Sequence, residues 1–197
     1  MTMKRAARKV TTAIKAKIKA AKKRTAPKAI SQEAMMALWQ KAATPAEGHR
    51  RLEPIVGTFR TKSTFTMEYG APPQVSEATS EHRWVLGGRY VEQRYKGTSM
   101  GMPFEGIGYT GYDNVQKKYV GTWMDSFGTS IMSSIGVGRP KDNEIRSECE
   151  ALDPSGKLIR FEAILRVQDR NRHSYEMWTK APNGKRYRMM LLEYTRT

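Results

Sequence analysis

Gly57-Thr58-Phe59-Arg60-Thr61-Lys62-Ser63-Thr64-Phe65-Thr66-Met67-Glu68-Tyr69 is the stretch that decides the fold. Phe59, Thr61, Ser63, Phe65, Met67 and Tyr69 alternate with Thr58, Arg60, Lys62, Thr64, Thr66 and Glu68, so one face is largely apolar and the other polar. That period of two describes a half-buried strand of antiparallel type. The same alternation returns in Ile159, Phe161, Ala163, Leu165 and Val167. Turn chemistry separates the runs at Gly87-Gly88, Asp113-Asn114, Asp153-Pro154-Ser155-Gly156, Asp169-Arg170-Asn171 and Pro182-Asn183-Gly184. About ten strands are expected, over residues 57–69, 76–86, 89–97, 104–112, 118–126, 130–137, 144–152, 157–168, 173–180 and 186–196. No helical pattern interrupts them. The expected fold is therefore all-β, an up-and-down antiparallel barrel over 57–197 whose closure removes exposed sheet edges.

Two different segments precede the strands. Residues 1–29 hold eleven lysines and arginines and no acid, while the rest of the 197-residue chain carries 24 basic against 19 acidic groups, so most of the net charge of +16 belongs to this Ala/Lys-rich tail. Three roles compete for it: a solvated extension, weak nonspecific binding to nucleic acid or an anionic surface, and an organelle-targeting segment. Residues 30–56 read as short helices. Ser31 is a candidate cap for a helix with Met35, Leu38, Trp39 and Ala42 on one face. Thr44-Pro45-Ala46-Glu47 has the form of a capping box with Thr44 as cap, and Pro54 keeps the helix it opens short. No apolar run reaches the roughly 18 residues of a membrane span, and no signal-peptide pattern is present, so a cytoplasmic location is expected. Cys149, the single cysteine, excludes an intramolecular disulfide framework.

Catalytic patterns fail on context. Gly106-Ile107-Gly108-Tyr109-Thr110-Gly111 matches a dinucleotide fingerprint but opens no helix. Ser126 and Ser130 have no base beside them, and His49, His82 and His173 are not spaced as metal ligands. No catalytic residue, metal or cofactor is assigned, haem on the late His173 being the one cofactor reading kept open. Asp125, two residues from Trp123, could serve as an acid or base or as a polar anchor at the barrel mouth. Strand parity places Ala78, Ser80, His82, Trp84 and Leu86 on one face, and Tyr119, Gly121, Trp123 and Asp125 on another; Gln93 and Tyr95 join them. Aromatics with a few polar groups are a usual pocket lining, and a barrel of ten strands is wide for side chains alone to fill. His82, Trp84, Gln93, Tyr95, Trp123 and Asp125 are thus the candidate ligand-binding residues, with Trp84, Tyr95, Trp123 and Asp125 expected to line one cavity open at the end opposite Phe59. The expected ligand is small and apolar or amphipathic. An enzyme acting on a cavity-bound molecule and an adaptor working through the basic tail are the alternatives.

Gly57-Thr58-Phe59 opening the first strand and Arg196 ending the last resemble the lipocalin arrangement, in which a Gly-x-aromatic strand packs at the closed end beneath a late arginine. A longer string carries a more specific resemblance. Gly48-His49-Arg50-Arg51-Leu52, Val56-Gly57-Thr58-Phe59, Val85-Leu86-Gly87-Gly88-Arg89-Tyr90, Gly111-Tyr112-Asp113 and Trp123-Met124-Asp125-Ser126 occur in that order. They resemble the bacterial domain-of-unknown-function family 1579 over about residues 44–197. The resemblance implies a lipocalin-like barrel without an established activity, with Gly57, Phe59 and Arg196 closing it, and with Phe59 where the family usually has tryptophan.

The tail offers almost no large side chains to bury, so removal of residues 1–29 is expected to leave the melting temperature within a few degrees of the full chain. The full chain should retain duplex DNA weakly, with steep salt dependence, and the shortened one should not. A large loss of stability, or equal DNA retention by both, contradicts this reading of the tail.

Overall fold

The computed structural model describes residues 30–139, 143–153 and 155–197, so the basic segment 1–29 and its proposed roles lie outside the described residues. The chain divides into two compact units, Met1–Gln40 and Lys41–Thr197. Most of helix α1 (Gln32–Ala43) belongs to the first. Ser31 Oγ accepts the Ala34 amide at 3.2 Å, and the helix buries none of its side chains.

In the second unit, helix α2 (Glu47–Arg50) and a 3-10 turn (Glu53–Ile55) lead into ten strands. The α2 cap differs from the expected box. Ala46, not Thr44, is the cap; His49 Nδ1 accepts the Ala46 amide at 3.0 Å, and Glu47 pairs with Arg50 at 2.7 Å. The helix starts two residues later than the box pattern places it, and His49, three residues after Ala46, takes the reciprocal role expected of Glu47.

The strands are β1 (Gly57–Phe65), β2 (Gln74–Val85), β3 (Tyr90–Ser99), β4 (Met102–Asp113), β5 (Lys118–Asp125), β6 (Met132–Arg139), β7 (Glu144–Leu152), β8 (Leu158–Val167), β9 (Arg172–Lys180) and β10 (Arg186–Arg196). Each pairs antiparallel with its neighbours in sequence, and β1 pairs with β10, so the sheet closes into a barrel and its edges are consumed. β1 ends at Phe65 rather than at Tyr69. The alternation continues to Tyr69, but Met67 and Tyr69 are exposed; beyond Phe65 the Thr66 amide still donates to Met189 O of β10 at 2.8 Å, and Tyr69 meets Tyr187 through its ring. Met100 and Gly101 form the two-residue β3–β4 turn with φ of 52° and 76°, as a right-twisted hairpin requires.

Odd strands run from the end that receives the 3-10 turn, and even strands return to it. At that end Leu52 and Ile55 are buried against Val91 and Tyr119, with Val56, Trp84, Tyr112, Ile145, Leu165 and Val167 around them. The segment from α2 to the 3-10 turn is thus a plug. Arg196 fastens it, Nη1 donating to Val56 O at 2.8 Å, Nη2 to Pro54 O at 3.0 Å and Nε to Arg170 O at 2.8 Å. The same guanidinium lies 4.7 Å over the fully buried Phe59 ring. Gly57 makes room for it: φ is 137°, and a Cβ there would fall 1.9 Å from Arg196 Nη1.

The outer wall is held by cross-strand ion pairs. Glu92 meets Arg83 and Arg94 at 2.8 Å and Tyr109 at 2.9 Å, and the hydrogen bonds from Arg94 and Tyr109 lower its pKa to about 2. On the other side Arg166 bridges Glu144 and Glu176, Arg146 bridges Glu144 and Glu162, and Arg186 joins Glu162 while lying 4.0 Å over Trp178. Among the described residues, the inward positions of the ladders contain two charged side chains, Asp125 and Arg196, each engaged by its neighbours.

Phe59→Ala should lower unfolding free energy by about 3–5 kcal/mol, and Gly57→Ala by more than about 1 kcal/mol through backbone strain alone. Urea titration of both variants measures this; a neutral Phe59→Ala would show that the ring does not anchor the plug.

Candidate functional site

The structure places the six expected ligand-binding residues on the inner wall. All face inward, but they stand at different depths. Trp84 ends an even strand and so lies at the plugged end, its Nε1 donating to Glu53 Oε2 at 2.7 Å. It stands at the same end of the barrel as Phe59. Trp123 and Asp125 end an odd strand and lie in the other half.

Between them runs a buried polar chain. His82 Nε2 is 2.8 Å from Ser80 Oγ, and Gln93 Nε2 donates to Ser80 Oγ at 3.0 Å and to Tyr194 Oη at 3.1 Å. His173 stacks on Tyr194 with ring centroids 4.2 Å apart and meets Phe59 edge-on at 4.6 Å. The two imidazoles are 5.6 Å apart. Burial pushes His82 down to about 4 and His173 to about 3, the positive Arg196 adding to both shifts and His82 itself to that of His173. Both are therefore neutral at pH 7. His173 is 3% exposed and packed against Phe59, His82 and Tyr194. His49 is engaged in the α2 cap and packs on Tyr112. Among the described residues no three His, Cys, Asp or Glu side chains converge as metal ligands.

The aromatic surface of the other half rests on glycines. Added Cβ atoms at Gly106 and Gly108 would come within 2.1 and 2.8 Å of the Trp123 indole, so the indole lies flat on β4. Asp125 Oδ2 accepts its Nε1–H at 2.9 Å, while Oδ1 accepts the Phe127 amide at 3.0 Å. Asp125 is a tether and a turn cap at once. Tyr95 meets Trp123 edge-on at 6.3 Å and Phe104 at 5.8 Å, and Phe104 meets Phe127 at 5.0 Å. Burial raises the Tyr95 phenol to about 12. Sequence reasoning did not select Phe104, although its parity with Gly106 and Gly108 on β4 was readable. It also passed over Tyr175, which faces inward beside the fully buried Cys149; burial raises the Tyr175 phenol well above its usual value and the Cys149 thiol to about 11.

A cavity of about 420 Å³ opens at the unplugged rim, lined by Ser63, Phe65, Gln74, Val75, Ser76, Thr98, Ser99, Met100 and Gly101. None of the six candidate residues lines it.

Closed barrel, plugged end and aromatic inner wall define an antiparallel β-barrel of the up-and-down class. The chain belongs to the family described as "Protein of unknown function (DUF1579)", which matches residues 44–196. No curated protein matches it. Among solved structures it is similar to Rv2717c from M. tuberculosis, at 16% identity, 78% of this chain, 99% of that chain and a TM-score of 0.56. It is also similar to a de novo designed fluorescence-activating β-barrel, at 18% identity, 72% and 93% coverage and a TM-score of 0.41. A redesigned β-barrel aligns at 12% identity, 78% and 98% coverage and a TM-score of 0.38. Among the described residues no helix is long and apolar enough to cross a membrane.

Two buried neutral histidines make the fold acid-sensitive with a defined sign. The unfolded chain protonates them below about 6.5 while the folded chain resists to about 4 and 3. Stability should therefore fall as pH drops through this window, by about 1.4 kcal/mol per pH unit for each group. Urea midpoints at pH 7 and pH 5 read it, and His173→Phe, which can keep the stack on Tyr194, should lessen the slope.

Proposed function

We propose that the barrel binds a small, partly apolar molecule in its interior, in the manner of a lipocalin. The observation that carries this reading is the Trp123 indole, held flat on Gly106 and Gly108 by Asp125. A ring that projected across the barrel would fill it. A ring pressed against the wall by glycines instead presents its face to the lumen, next to Tyr95 and Phe104. Small inward residues at Gly121, Ser134, Ser147 and Ala163 continue around the wall. A closed barrel of ten strands is wider than the eight-stranded kind that side chains just fill. Both Asp125 oxygens are engaged, which favours binding over acid–base catalysis. Residence in the cytoplasm is part of the proposal, as is weak attraction of residues 1–28 to nucleic acid or anionic surfaces; neither alters the barrel chemistry.

Titration with N-phenyl-1-naphthylamine, a neutral apolar fluorophore, tests it. The probe should brighten and quench tryptophan emission in the wild type. Trp123→Ala should weaken binding about tenfold or more with the far-ultraviolet circular dichroism unchanged, and Asp125→Asn, which keeps an acceptor for the indole, should retain most of it. An unresponsive probe and an unchanged tryptophan spectrum sink the reading.

A further inference from the structure

The ladder between β2 and β3 stops before the strands do. Its register runs from Val85↔Tyr90 to Ala78↔Gly97, yet β2 extends back to Gln74 and β3 on to Ser99. Each strand stays paired on its other side, Ser76 with Ser63 on β1 and Ser99 with Met102 on β4. The wall therefore parts between them. The apex of the wedge is Gly97, where a Cβ would fall 2.4 Å from that of Ala78. Beyond it lies the 420 Å³ cavity, whose lining mixes inward positions, Ser63, Phe65, Ser76 and Ser99, with outward ones, Val75 and Thr98. Residues of both faces around one opening describe a window through the wall.

We propose that this window binds the head group of the ligand, and that the head group is an uncharged hydrogen-bonding one, an amide or an alcohol. The inference rests on the lumen-binding reading above and adds the ligand's chemical class. The window is furnished with hydroxyls from Ser63, Ser76, Thr98 and Ser99, and among the described residues no charged side chain lines it. A carboxylate or ammonium that reached the inward hydroxyls of Ser63, Ser76 and Ser99, below the exposed edge of Gln74, Val75, Thr98, Met100 and Gly101, would find no counter-charge there. Shedding water from an unpaired ion is far costlier than from a hydrogen-bonded neutral group. The lumen behind offers none either, since its inward charges, Asp125 and Arg196, are already engaged. Distance along the wall fits an amphipathic molecule. Gly97 at the apex pairs with Phe104, and Tyr95, the next inward residue of β3, contacts both Phe104 and Trp123. A polar head in the window thus leaves an apolar body against that aromatic wall. Strand addition by a peptide is the poorer occupant. The unpaired stretches, Gln74 to Glu77 and Thr98 to Ser99, are shorter than the roughly 5–6 residues of an ordinary strand.

The test is displacement of N-phenyl-1-naphthylamine from the full-length protein by four probes with one ten-carbon chain: decanamide, 1-decanol, decanoate and decylammonium. The neutral pair should compete at least about tenfold better than the ionic pair. The double substitution Ser76→Ala with Ser99→Ala should cut this preference to within about twofold, while affinity for the fluorophore itself is unchanged. Equal competition by all four in the wild type overturns the inference, as does a preference that survives in the double variant. Failure of the fluorophore to bind instead removes the lumen reading, and this inference with it.

Discussion

The fold depends on one guanidinium. Arg196, at the end of the last strand, donates to the carbonyls of Pro54 and Val56, which immediately precede the first strand, and to Arg170 in the β8–β9 connection. A barrel needs its first and last strands to meet, and these contacts join the two ends of the strand order at the seam where they do. The hydrogen bonds are charge-assisted, and those to Pro54 and Val56 are part-buried, so they are worth more than surface pairs. They also set the plug, because the carbonyls they hold flank Ile55, whose side chain is buried in the cluster of Leu52, Val91 and Tyr119. Gly57 and Phe59 obey the same constraint: one vacates the volume the guanidinium occupies, and the other supplies the ring beneath it.

A plugged, buried end explains where the histidines sit. With Phe59, Tyr194 and the guanidinium packed together, His82 and His173 occupy a space from which water is excluded and to which a positive charge is already committed. Neutral imidazole is the form that survives there. Ser80 and Gln93 supply hydrogen bonds that neutral partners can satisfy, while Nδ1 of His173 is left without one. The polar chain is thus part of the wall between plug and lumen.

Most of the architecture was legible because an antiparallel meander writes each strand locally. Alternation with turn residues locates nine strands within about two residues at each end for most of them; the first is overextended because Met67 and Tyr69 keep the parity up to Gly70-Ala71-Pro72-Pro73, after the strand itself has ended. The site was legible only by face. Parity says that Trp84 and Trp123 both point inward; it does not say how deep. Depth comes from strand direction, and the information was available: a tryptophan near the end of an even strand returns to the plug, whereas one near the end of an odd strand has reached the opposite rim. The window could not be read this way. It arises where a register stops, and register is a property of two strands at once.

The distribution of charge joins these features into one argument about ligand chemistry. The outer faces of β2–β4 and β7–β10 carry ion pairs, with Glu92, Glu144 and Glu176 shielded by the arginines or hydroxyl that pair with them. Glu92 and Glu144 each keep a second arginine when one is removed, so these buried carboxylates are held by networks and not by single exposed pairs. Because charge is used outside, the inner face can be built from glycine, serine, methionine and aromatic rings. Glycine gives the rings somewhere to lie, and hydroxyls give a polar group somewhere to bond where the wall parts. A molecule that suits both, on the proposed reading, has a flat or flexible apolar body and a neutral polar end, whereas one with an ionic end keeps the apolar contact but meets no counter-charge at the opening.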